Sequence, residues 1–123
     1  MTQRFFPYAR DARFKLLLLP LGVRASDGVT VDDEKVRATF GFFSVETARS
    51  NVTGTKITGP HPWFTAVGLR LSFSDDSLTF GTDNRRGLSI EFDQKVDRVV
   101  GFHDHSSLWV SVADPEGLAA ALA

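Results

Sequence analysis

Apolar residues fall at every second position over much of this chain, the spacing of strands with one buried face. Val29 and Val31 share a side, a polar "DDEK" turn follows, and Val36, Ala38, Phe40 and Phe42 then alternate with Arg37, Thr39, Gly41 and Phe43. That pattern predicts a hairpin whose tip carries Asp32, Asp33 and Glu34, expected to form a solvated turn. Residues 44–58 fit two short strands around a turn, given their Thr and Val content and Gly54. Leu69, Leu71 and Phe73 alternate next. Leu78 and Phe80 follow "SDDS", and Leu88, Ile90 and Phe92 follow "NRRG", so these three segments read as a meander. Residues 96–102 read as a further strand or an irregular connection. Leu108, Val110 and Val112 mark the last strand, with Trp109 on its other side.

The period changes at the ends. In "DPEGLAAALA" Asp114 suits an N-cap and Pro115 the first helical position, where its missing N–H costs nothing. Leu118 and Leu122 lie four apart, so this short helix must dock one face on the sheet. "LLLLPLGV", Leu16 to Val23, is too short to span a bilayer and is interrupted by Pro20. It reads as a buried strand. Residues 1–13 form an arm that Phe5, Phe6 and Tyr8 could anchor, and residues 14–123 form one β-rich domain.

The 123 residues suit one domain with a real core, and eleven Phe and two Trp supply bulky filling. The absence of Cys excludes disulfides and thiolate chemistry and suits a reducing cytoplasm. A net charge of −1 lacks the basic footprint of a nucleic-acid binder. No phosphate-binding loop, dinucleotide fingerprint or Gly-x-Ser-x-Gly elbow occurs, so no cofactor is expected and an enzyme is the weaker reading.

Three clusters carry candidate chemistry. Asn84, Arg85, Arg86 and Gly87 could fork around a phosphate or carboxylate, but only on a curled tip. Strand alternation alone would send the two arginines to opposite sides and leave a solvated hairpin turn. Both could then be replaced by Ala with little effect on folding. His61, which two prolines bracket, forms with Trp63 and Phe64 either a rigid binding edge or a plug. His103 and His105, two apart, would share one side of a strand and could ligate a metal with His61 or a carboxylate as third ligand.

The segments "TGPHPWFTAVGLRLSFSDDSLTFGTDNRRGLSIEF" and "LWVSVADPEGLAAALA" resemble a family of small uncharacterised actinobacterial proteins over residues 29–122. That resemblance implies no activity and no site residues. The order of elements is also similar to bacterial pleckstrin-homology-like domains. This implies a mainly β, β-rich α+β fold: a bent sheet or partly open barrel of about seven strands with a C-terminal helix. Some such domains bind phosphorylated lipids or proteins.

The leading expectation is therefore a cytoplasmic binding or adaptor domain for a protein or small anionic ligand. An open sheet edge offers a route to a homodimer. The alternatives are a metal-dependent protein using the histidines, and peripheral membrane association through the N-terminal arm. No integral membrane segment is expected.

Overall fold

The computed structural model describes residues 3–62, 66–71, 76–97, 99 and 104–123. Among them the chain is mainly β, with two sheets, no closed barrel and a C-terminal helix. The first sheet is antiparallel, in the order β1 (Arg4–Pro7), β2 (Gly28–Val31), β3 (Lys35–Phe40) and β4 (Phe43–Ala48). The second holds β5 (Val52–Thr58), β6 (Gly68–Leu71), β7 (Leu78–Gly81), β8 (Gly87–Val96) and β9 (His105–Val110) in the order β5-β8-β9-β7-β6. The helices are α1 (Lys15–Leu18) and α2 (Pro115–Leu122). Among the described residues there are nine strands against the expected seven, partly because the N-terminal arm itself supplies β1.

Alternation sets the core. Val29 and Val31, Val36, Ala38 and Phe40, Leu78 and Phe80, Leu88 and Ile90, and Leu108 and Val110 all point into one cluster. Phe40 stacks on Phe80 at 5.1 Å, and Tyr8 meets Phe40 edge-on at 5.7 Å. This clamps the two sheets together, as aromatic pairs do beyond simple area burial. Asp32 makes the β2–β3 turn by accepting the N–H groups of Glu34 and Lys35 at 2.8 and 2.7 Å. Asp114 caps α2 by accepting the Gly117 N–H at 3.0 Å, and Leu118 and Leu122 bury its inner face. The connection between β4 and β5 is a 3-10 turn at Arg49–Asn51 rather than at Gly54. Asn51 is structural there. Its amide donates to Thr47 and to the Gln94 carbonyl and accepts the Gln94 N–H.

Three expectations are corrected. Leu16–Val23 is not a buried strand: it runs through α1 and a 3-10 turn, Leu19–Leu21. Pro20 cannot donate to a ladder, and Phe14, Leu18 and Leu21 recur at helical spacing with their side chains turned toward the core. Phe42 does not continue the inner face of β3. Gly41, at φ 59°, turns the chain directly against the Leu21 carbonyl and throws Phe42 outward. The segments β6, β7 and β8 are not a meander either, because β9 lies between β7 and β8, parallel to the former and antiparallel to the latter.

That insertion shapes everything around residues 82–86. This loop is not a hairpin tip but a bridge over the end of β9. Beneath it Ser111 is fully buried. The Thr82 N–H donates to Ser111 Oγ at 2.7 Å, and the Thr82 hydroxyl donates to the Ala9 carbonyl at 2.6 Å. The Ser111 hydroxyl must therefore donate to Thr82 Oγ1, 2.8 Å away. The Ala9 N–H donates in turn to the Ser111 carbonyl, and Tyr8 pairs with Val112. These bonds draw residues 8 and 9, which follow β1, onto the second sheet.

Candidate functional site

The two arginines of the bridge do not converge. Arg85 folds back on Asp83: its Nε donates at 2.8 Å, its Nη2 bonds the same oxygen, and its N–H reaches the other at 2.9 Å. Burial alone would raise the Asp83 carboxyl, but the Arg85 bonds outweigh it and hold the carboxyl below its ordinary 3.8. Arg86 instead grips Glu116 of α2 at 2.6 and 2.7 Å, with both partners exposed. Neither guanidinium is free for a shared anion. Gly87 needs no unusual torsion. It lies under the Trp109 indole, where any Cβ would strike the ring.

The arginines therefore differ in what they hold. Arg85→Ala leaves the nearly buried Asp83 carboxylate without its cation, so we expect a clearly lower melting temperature. Arg86→Ala removes only an exposed pair and should change little. Asp83 adds a pH signature. Its contribution is full above the ordinary carboxylate range and fades as pH falls through the lowered folded value. Thermal melts of both variants at neutral and acid pH check this. Equal melts would contradict the assignment of Arg85 to Asp83.

Asn84 and His61 do meet, but through the His61 backbone and not its ring. The His61 N–H donates to the Asn84 carbonyl, and the Asn84 side-chain Nδ2 donates to the His61 carbonyl, each at 2.8 Å. The His61 Nε2 lies 3.0 Å from Thr58 Oγ1, which also accepts the Trp109 N–H at 2.9 Å. The imidazole edge rests on Trp109 at 5.5 Å. This group borders a hollow of about 290 Å³ on the outer face of the second sheet, beside Ser89 and Glu91. The Glu91 carboxylate makes it a poor host for an anion. Trp63 lies outside the described residues.

His105 is fully buried, and both its nitrogens are in use. The Val99 N–H donates to Nε2 at 3.1 Å. Nδ1 faces the Asp76 carbonyl at 3.1 Å and so carries the proton. The ring ties β9 to its neighbours and has no free lone pair for a metal. His103 lies outside the described residues. Among the described residues, no group of three His, Asp or Glu could hold a metal ion.

A different place gathers unpaired charge. A hollow of about 360 Å³ opens between the segment after β1, α1 and the start of β2. Tyr8, Leu18 and Val23 form apolar wall, and Arg10, Lys15 and Arg24 stand on its lining. Among the described residues, none of these three cations has an ion pair or hydrogen bond through its side chain. The carboxylates nearby are engaged. Asp11 is held by Arg13, whose side-chain and backbone bonds pull its carboxyl down to about 2. Asp27 accepts the N–H groups of Arg24 and Gly41 at 2.7 and 2.9 Å. The Tyr8 hydroxyl is buried and has no partner.

The sequence reading missed this site because it placed Leu16–Val23 inside the sheet. The signal was present in the stripe Phe14, Leu18, Leu21 and in cations at both ends of the leucine run. No protein-family model, curated protein or solved structure matches the chain.

Proposed function

We propose that the domain is a binding module for a small molecule with an anionic group and an apolar body, held in the hollow beneath α1. The observation that carries this is the set of three unpaired cations, Arg10, Lys15 and Arg24, around a cavity whose two lining carboxylates, Asp11 and Asp27, are already engaged by Arg13 and by backbone N–H groups. Ligand sites combine apolar walls with a few placed polar groups in this way. A pleckstrin-homology-like kinship belongs to the same proposal and is supported by the run of strands from β2 to β9 followed by the terminal helix α2.

Octanoate and octanol share a tail and differ in charge. Amide NMR during titration with octanoate should show saturable shifts at residues 8–12 and Thr82, and octanol should not. Equal responses to both, or shifts centred on residues 84–86, would overturn the reading.

Tyr8 gives a check on the packing of the wall. A buried hydroxyl without a partner costs about 1–3 kcal/mol. Tyr8→Phe should therefore stabilise the free domain. Burial, and then the charge of Asp27, push the Tyr8 phenol well above its ordinary 10.0. The folded state thus keeps its proton where the unfolded chain loses it, so stability present below about pH 10 declines above it. The Phe variant should lose less over that alkaline range. A variant less stable than the parent in denaturant melts would show that the hydroxyl has a partner.

A further inference from the structure

The outer side of α1 is as apolar as its inner side. Leu16 is 79% exposed, Leu19 59% and Phe42 76%, and Leu17 is also exposed. Leu16 and Leu19 lie three apart on one helical face, and the turn continues to Gly22. The Phe42 ring lies over Gly22, and the Phe42 N–H donates to the Leu21 carbonyl at 3.1 Å. The β3–β4 turn and the leucine turn therefore present one continuous apolar knob. A helix facing water normally carries polar residues on its outer side, and one that is apolar all round is covered by something.

Charge decides between coverings. Residues 10–25 hold Arg10, Arg13, Lys15 and Arg24 against Asp11 alone, a net +3 on a chain whose total is −1. A two-fold dimer through this knob would set the same patch against itself, and its positive charges would face each other. An anionic lipid surface would meet leucine and phenylalanine with acyl chain and the cations with headgroup. We infer that the leucine turn and Phe42 insert into the surface of a bilayer bearing anionic lipid. This goes beyond the ligand site, because Leu16, Leu17 and Phe42 do not line the hollow, which Leu19 alone of the four exposed side chains borders.

Co-sedimentation with vesicles of phosphatidylcholine, with and without phosphatidylserine, tests it. The wild type should pellet with phosphatidylserine vesicles, less so at high salt, and stay soluble with phosphatidylcholine alone. The triple variant Leu16→Asn, Leu17→Asn, Phe42→Asn changes exposed side chains only. It should lose vesicle binding while keeping its melting temperature and its octanoate response. A wild type that ignores both vesicles, or a folded triple variant that binds like the wild type, overturns the inference. So does a wild-type dimer in sedimentation velocity that the same substitutions dissociate, which would assign the knob to a second copy.

Discussion

Gly81→Ala should abolish the folded state. Gly81 ends β7 opposite Gly68, and a Cβ there would stand far inside van der Waals contact of the Ala66 carbonyl oxygen. The obstacle is backbone and not a side chain that can swing away. Relief would require breaking the β6–β7 pairing or shifting β7 against β9, in a core packed at crystal-like density. Soluble expression and a cooperative melt are the measurements, and neither should be retained. Gly54→Ala is the matched control, since its Cβ would meet only the flexible end of Glu91 at 3.4 Å. A Gly81→Ala protein that melts like the control would mean that the Ala66 segment does not lie against β7.

Phe40→Ala should cost about 3–5 kcal/mol, a large share of the roughly 5–15 kcal/mol that holds most domains folded. Phe40 is fully buried and stands between two rings, stacked on Phe80 from the second sheet and touched edge-on by Tyr8. Its removal leaves a cavity at the joint of the sheets and unseats the wall residue of the ligand hollow. Denaturant unfolding should show the stability loss, and octanoate affinity should fall with it. A Phe40→Leu variant, which refills part of the volume, should recover most of both. If Phe40→Ala costs well under 1 kcal/mol, the sheets are not clamped through this ring stack.

Local pattern was legible where each residue has only its own strand to answer to. The alternations at Val36–Phe40, Leu78–Phe80, Leu88–Ile90 and Leu108–Val112, and the Asp114–Pro115 helix start, all stand in the structure. Pairing was not legible, because alternation says which side a residue faces and not which strand lies beside it. β9 enters between β7 and β8 from far along the sequence, so the Arg85–Arg86 loop became a bridge instead of a turn. Its arginines then found separate partners, Arg85 in the loop's own nearly buried Asp83 and Arg86 in Glu116 of α2. Leu16–Val23 was misplaced for a compositional reason. A run of leucines has no polar phase to reveal its period, so only Pro20 and the flanking Phe14 distinguish a helical turn from a buried strand. The hollow beneath α1 could be found only after that turn was correctly placed.

The most direct test of the account is where an anion binds. Isothermal titration of octanoate should be run on the wild type, on Lys15→Glu with Arg24→Glu, and on Arg86→Gln. The account predicts an affinity lower by roughly tenfold or more in the double reversal and unchanged in Arg86→Gln. Binding that survives the double reversal and is lost with Arg86→Gln would contradict it and return the site to the bridge over β9.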